Sequence, residues 1–297
     1  MFDKFKADIL FHQLLKRPDI DKAYAKVPPT DSWYETINKV HESLEKIQML
    51  PHEVVEIQSH DGLTLKAVYY PAQNQTGKAV IFAHGYTSHA EREWAFPGLF
   101  YHSLGFNVLI PYQRAHGMSQ GKFISFGALE HLDMMKWVEK INLIHPDDSI
   151  LIHGLSMGGG IVLNLCDKEM KNVKALISDA PNVSIADFFK GICGHVFKKK
   201  SEKVLPHVFG RFQREFGVDA KDFDASQIVC NCRYPLLLSA GSMEQREDVF
   251  NQLRECNPMD TTIVILPGCN HGNGMYKQTE MFQNAIKTFV DRYIDGR

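Results

Sequence analysis

Apolar positions change their spacing along this chain, and each change predicts a different kind of element. Over residues 1–50 the spacing is helical: Leu10, Leu14 and Leu15 share roughly one face, Pro28-Pro29 interrupts, and Asp31 to Gln48 resumes after a Thr30/Asp31 start signal. The period then drops to two. Val54, Val55 and Ile57, a turn at His60-Asp61-Gly62, and Leu63, Leu65, Ala67 and Tyr69 alternating with Thr64, Lys66, Val68 and Tyr70 predict two antiparallel strands joined by a hairpin.

From residue 78 short continuous apolar runs take over: Ala79 to Ala83, Asn107 to Pro111, Ile150 to His153, Val173 to Ser178, Leu236 to Ser239 and Thr262 to Leu266. Between them lie helix candidates at Ala90 to Leu104, Ser125 to Ile144, Gly158 to Met170, Asp248 to Cys256 and Gln278 to Tyr293. Continuous apolarity means that both faces of these strands are covered, and the spacing leaves room for crossover helices to cover them. The expected fold class is therefore α/β, a mostly parallel sheet wrapped by helices. Between Asp179 and Tyr234 no strand is expected, and the stretch carries Ile185 to Phe189, a basic run at Lys198-Lys199-Lys200, and Phe209 to Phe216. A helical insertion there, at about 182–230, would lie over the sheet edge where such folds bind ligands, as a lid or as a plain structural excursion.

Composition narrows the classes. The 297 residues carry 33 Lys plus Arg against 35 Asp plus Glu, a formal charge of −2 that gives no attraction to a polyanion, so no nucleic-acid partner is expected. The longest apolar run, Ala79 to Ala83, is far short of a membrane span. Charges break up the first residues, Met1 to His12, so no secretory leader is expected and the expected location is cytoplasmic. The six cysteines (Cys166, Cys193, Cys230, Cys232, Cys256, Cys269) lack paired C-x-x-C units and are expected as free thiols, Cys230-Asn-Cys232 included.

The sharpest chemical signal is Gly154-Leu155-Ser156-Met157-Gly158, directly after one strand and directly before a helix. A strand that turns at once into a helix strains its central residue, and side chains two before and two after would collide with backbone, which explains both glycines. Ser156 is pushed out above the sheet edge, but a hydroxyl is a weak nucleophile without a base in reach. His271, in the loop Pro267 to Gly272 after the last strand, is the best of fourteen histidines, ahead of His84, His116 and His153, because loops at the carboxyl ends of parallel strands share one rim. The acid behind it should leave the sheet between serine and histidine. Glu244 is the first choice; Asp248 is the runner-up, with Glu247 and Asp179 behind it. Backbone N–H groups of Met157 and Tyr86, the latter in the loop His84-Gly85-Tyr86, would receive an oxyanion.

These residues resemble the α/β-hydrolase superfamily, and most closely its bacterial serine esterase-like branch: His84-Gly85-Tyr86, Arg114-Ala115-His116-Gly117-Met118-Ser119 and Gly154 to Gly159 match its motifs. The resemblance runs from about His52 to Tyr293 and leaves the first 50 residues outside it. It implies an eight-stranded sheet, a catalytic triad of Ser156, His271 and Glu244, an oxyanion hole at Tyr86 and Met157, no cofactor and no metal. It implies hydrolysis of esters or related acyl compounds; carboxylic esters of small molecules are the first expectation, with acyl-aminoacyl, peptide or thioester substrates as alternatives. One position departs: the branch usually carries His-Gly-x-x-Asp where this chain has Ala240-Gly241-Ser242-Met243-Glu244. That departure alone supports a rival reading, an inactive binding protein on the same fold. A metal-dependent hydrolase lacks any H-E-x-x-H spacing. The turn at Arg114 to Ser119 is expected to brace the rim, the six lid phenylalanines (Phe188, Phe189, Phe197, Phe209, Phe212, Phe216) either to face an apolar acyl group or simply to pack, and a homo-oligomer remains an open expectation.

Overall fold

The computed structural model describes residues 2–20 and 33–296. The Pro28-Pro29 interruption and the Thr30/Asp31 start lie outside the described residues. Eight strands form a single sheet in the order β1-β2-β4-β3-β5-β6-β7-β8. They are β1 Glu53–Gln58, β2 Thr64–Tyr70, β3 Lys78–Ala83, β4 Asn107–Pro111, β5 Ser149–Leu155, β6 Val173–Asp179, β7 Leu236–Gly241 and β8 Thr261–Leu266. As expected, β1 and β2 pair antiparallel around the turn at Gly62, which takes φ +83°. β2 is also antiparallel to β4, and the remaining pairs are parallel.

Register aligns the carboxyl ends. Ala83 pairs with Gly154, Leu155 with Asp179, and Gly241 with Leu266. The loops that follow β3, β5, β6, β7 and β8 therefore leave the sheet along one rim.

Alternate residues of each strand feed two cores. Ala79, Ile81 and Ile152 join Trp137 and Ile141 of α4 (Glu130–Ile144), Ile161 of α5 (Met157–Leu163) and Phe250 of α8 (Glu247–Cys256). Val80, Phe82 and Leu151 join Trp94 of α3 (Ala90–Ser103), Ile47 of α2 (Ile37–Gln48) and Phe282 of α9 (Thr279–Tyr293). At roughly 1.5–3 kcal/mol per fully buried large apolar side chain, these layers hold the sheet on both faces. The close approach of α2 to α3 depends on Gly98, where a Cβ would stand 2.9 Å from Ile47 Cδ1.

A third core lies above the rim. It unites Ala7, Phe11 and Leu15 of α1 (Phe2–Leu15) with Phe189 of α6 (Ile185–Phe197), Val208 and Phe212 of α7 (Ser201–Phe216), and Phe123 and Phe126 from the loop after β4. Ser184 caps α6 by accepting the Asp187 N–H, and Gly217 ends α7 at φ +76°, the left-handed conformation that suits glycine. Arg211 of α7 lies over the Phe11 ring at 4.7 Å, and the Ile124 N–H donates to the Leu15 carbonyl at 2.7 Å. The segment before the sheet is thus built into the fold at both ends.

Three expectations need correction. The helix expected from Ser125 begins at Glu130, because the Glu130 carboxylate accepts the Ser125 and Gly127 N–H groups and the Ser125 hydroxyl, holding residues 125–129 as a turn with Phe126 and Gly127 at positive φ. The helix expected to reach Met170 ends at Leu163, where Leu165 and Cys166 donate to carbonyls three residues back. The six cysteines are not all free: Cys230 and Cys256 form a disulfide, since the turn after Ala225–Ile228 packs on the end of α8 and brings their Cα atoms to 4.7 Å. Cys166, Cys193, Cys232 and Cys269 are buried free thiols.

Candidate active site

The turn from β5 into α5 is as tight as backbone allows. Ser156 sits at φ +58° and ψ −113°, a conformation a serine adopts only when its surroundings impose it. A Cβ on Gly154 would lie 2.1 Å from the Gly158 carbonyl oxygen, and one on Gly158 would lie 1.9 Å from the Ala83 carbonyl oxygen. Both glycines are therefore required by the packing of β5 against α5 and β3. The Ser156 N–H donates to the Asp179 carbonyl at 2.8 Å, and its own carbonyl accepts from Gly160 and Asn182. The side chain is left to point away from the sheet.

His271 reaches Ser156 from the loop after β8. That loop is held by the buried Asn273 side chain, which accepts the Asn270 N–H at 2.9 Å. His271 Nε2 lies 2.8 Å from Ser156 Oγ, and Nδ1 lies 2.7 Å from Glu244 Oε2. Glu244 ends a single 3₁₀ turn, Ser242–Glu244, that follows β7, and its other oxygen accepts the Gly241 N–H at 3.1 Å. The extra methylene of glutamate is absorbed by this turn, which folds the side chain back towards the strand end. The carboxylate side chain is 9% exposed and the imidazole 52%, so Glu244 is sheltered and His271 meets solvent.

Electrostatics follow from the pairing. The hydrogen bond and charge of Glu244 raise the His271 pKa against its burial. Against a desolvation that raises it, the bond to His271 brings the Glu244 pKa below the ordinary carboxylate range. Asp248 and Glu247 are exposed in the first turn of α8. Asp179 is buried at the end of β6, accepts the Ser239 hydroxyl at 2.9 Å, and is raised to about 7 by desolvation. The three competing histidines are buried with other partners: His84 is pushed well below its ordinary value by desolvation, as are His116, to about 4, and His153, to about 3.

The loop after β3 faces the serine. Gly85 approaches so closely that a Cβ would stand 3.6 Å from Ser156 Cβ. Among the described residues, neither the Tyr86 nor the Met157 amide has a backbone partner. The loop is clamped from two sides. His84 accepts the Gln113 N–H at 3.1 Å and, through its carbonyl, the Gln113 side-chain amide at 2.8 Å. Glu93, in the first turn of α3, accepts the Gly85 N–H at 2.8 Å and is raised to about 7 by desolvation. The Tyr86 hydroxyl donates to the Leu14 carbonyl of α1.

Beside Ser156 lies a cavity of about 300 Å³. Its lining includes Trp33, Ile37 and Val40, which precede the sheet, and Tyr276, together with Arg92 and Glu93 of α3. Sequence reasoning missed Trp33, Ile37, Val40 and Glu93 as residues of this site. Glu93 reads as an ordinary acidic residue near a helix start, and the other three as one more apolar helix stripe.

Arg114 braces the rim without touching this cavity. It donates to Asp133 at 2.7 and 2.8 Å and to Asp61 at 2.9 and 3.1 Å. His60 stands beside these carboxylates, and the guanidinium already supplies the positive charge that such a cluster needs.

Residues 74–235 match the family described as serine aminopeptidase, S33. The chain belongs to that family of α/β hydrolases. The uncharacterized protein YqkD of Bacillus subtilis is 34% identical over 260 residues, which are 86% of this chain and 85% of YqkD. Among solved structures, an esterase of Pyrococcus furiosus superposes with a TM-score of 0.65 at 22% identity, covering 85% of this chain and 94% of the esterase. Est1E of Butyrivibrio proteoclasticus, solved with ferulic acid bound, gives a TM-score of 0.64 at 21% identity, covering 81% and 99%. These two likenesses establish a shared α/β-hydrolase fold. In this hydrolase the family match contains Ser156 but stops before Glu244 and His271, and it begins after Trp33, Ile37 and Val40.

Proposed function

We propose that this hydrolase cleaves carboxylic esters of small molecules through an acyl-enzyme, with Ser156 as nucleophile, His271 as base and Glu244 as the acid that orients it. The observation that carries the reading is the unbroken hydrogen-bond chain from Ser156 Oγ through both nitrogens of His271 to Glu244. In the first step Ser156 Oγ attacks the ester carbonyl and its proton passes to His271 Nε2. Glu244 stabilises the imidazolium from the Nδ1 side. The N–H groups of Tyr86 and Met157 receive the negative oxygen, each worth about 10²–10³ in rate by analogy with other oxyanion donors. His271 then gives its proton to the departing alcohol, activates a water in the same way, and releases the acid. Every step uses protein groups and water, and needs no cofactor. Residues 51–297 form the hydrolase unit in this reading, residues 1–50 a helical extension of it, and residues 182–230 a lid over its rim.

The family description includes aminopeptidases, which would require an anion facing the substrate ammonium. Glu93 is the carboxyl in the cavity wall, but it is committed to the Gly85 N–H, and burial raises its pKa to about 7, so it carries only part of a charge at neutral pH. Esters are the better fit. Thioesters and aminoacyl amides belong in the same test panel.

A fluorophosphonate probe should label the wild type and fail to label Ser156→Ala. Glu244→Gln should lower ester turnover by about 10⁴, as neutralising a triad acid does elsewhere, while Asp248→Asn retains it. An unlabelled wild type would support a binding protein instead, and the reverse pattern at Glu244 and Asp248 would move the acid.

A further inference from the structure

The two flanks of Ser156 differ in what fills them. On the side of α6 and α7 the space is occupied by protein: Phe126 and Phe188 stack at 4.0 Å, and Tyr86 meets both rings at 5.5 and 6.4 Å. None of the six phenylalanines of the insertion lines the cavity beside the serine. On the other flank the space is open, and its outer wall comes from the segment before the sheet. The Trp33 ring lies over Gly272, next after the base, where an added Cβ would be 3.3 Å from Trp33 Cζ2. Trp33 also meets Tyr276 edge-on at 5.4 Å.

That wall is fixed in place. Lys39 donates to Thr279 at 2.8 Å and lies over the Phe96 ring at 4.2 Å, and Glu35 pairs with Lys277 at 3.3 Å. Ile47 inserts against Gly98 one helical stretch further on. Trp33, Ile37 and Val40 therefore meet the site as a firm surface rather than as a loose strand of chain.

We propose that Trp33, Ile37 and Val40 form the acyl-binding wall of the enzyme and set the size of acyl group it accepts, a role the helical insertion does not play. This inference rests on the serine esterase reading above. This walled cleft suits the acyl group because that group stays bonded to Ser156 while the alcohol leaves and water enters. At about 300 Å³ the space lies at the small end of ligand cavities, which run from about 300 to 1,000 Å³. The substrate class is an ester with an apolar acyl group of short or medium length, or one aromatic ring, and not a long fatty acyl chain.

The test compares kcat/KM for p-nitrophenyl esters from acetyl to dodecanoyl, and for acetyl esters of alcohols of increasing length, with active sites counted by fluorophosphonate. Trp33→Ala should move the acyl optimum to longer chains, raising the dodecanoyl-to-butyryl ratio about tenfold. Ile37→Trp should move it to shorter chains. Trp33→Leu gives an intermediate shift and a reading if the alanine variant folds poorly. Phe188→Leu should leave the optimum where the wild type has it. The inference is overturned if the wall variants scale all acyl lengths equally at unchanged labelling, if the shift is confined to the alcohol series, or if Phe188→Leu produces it. A wild type that neither takes the probe nor turns over any ester would instead defeat the esterase reading itself.

Discussion

The insertion between β6 and β7 and the segment before β1 both reach the rim that carries Ser156, yet they were built for different ends. The insertion turns its aromatic rings inward to α1 and the loop after β4, so Phe189 and Phe212 are fully buried and hold structure. The segment before β1 keeps Trp33 and Ile37 only partly buried, with their faces towards a cavity. An aromatic ring beside an active site thus says little about substrate until its neighbours are known, because packing satisfies an apolar face as well as a ligand does.

The comparison can be broken most forcefully at the buried end. Phe212→Ala should cost about 3–5 kcal/mol of stability, as large-to-small changes in aromatic cores do, and lower the urea midpoint without moving the acyl-length optimum. A variant that keeps its stability but changes its acyl preference would reverse the roles of the two flanks. At the site between them, the proposed mechanism requires a neutral His271 to accept the Ser156 proton, so activity should rise as pH climbs through its pKa. Glu244 raises that pKa, and the acid limb of kcat/KM should lie above the ordinary histidine range. In Glu244→Gln the limb of the residual activity should move to lower pH, because the anion that favoured the imidazolium is gone. An unmoved limb would mean that Glu244 does not govern the base.

The smallest effect belongs to Glu93, on the open flank. Burial raises its pKa to about 7, so the folded protein keeps a proton there that the unfolded chain has already released. Stability contributed by that proton is present at low pH and is lost as pH rises, from roughly pH 4 to pH 7. Glu93→Gln retains an acceptor for the Gly85 N–H and removes the titration. Its melting temperature should therefore fall less steeply than the wild type's across that window, and identical slopes would place the proton elsewhere.

Much of the rim was legible because local rules wrote it. Gly154 and Gly158 announce a turn with no room for a Cβ, and continuous apolar runs announce a sheet covered on both faces. The cysteine pair was not legible: nothing at Cys230 or Cys256 encodes that a helical turn and the end of α8 meet. The starts and stops of α4 and α5 were misread for a related reason, since a carboxylate at Glu130 and i→i−3 hydrogen bonds after Leu163 override helical periodicity.

By itself the sequence determined the layer architecture, the strained serine and the order of the elements that follow it, because each depends on spacing within a few residues. Which acid meets His271, whose methylene is accommodated by a 3₁₀ turn, and which flank of Ser156 is filled or left hollow were decided only by the tertiary structure. Residues such as Trp33 and Gly272 are 239 positions apart in the chain and in contact in the fold, and a contact of that kind is a property of the packed whole.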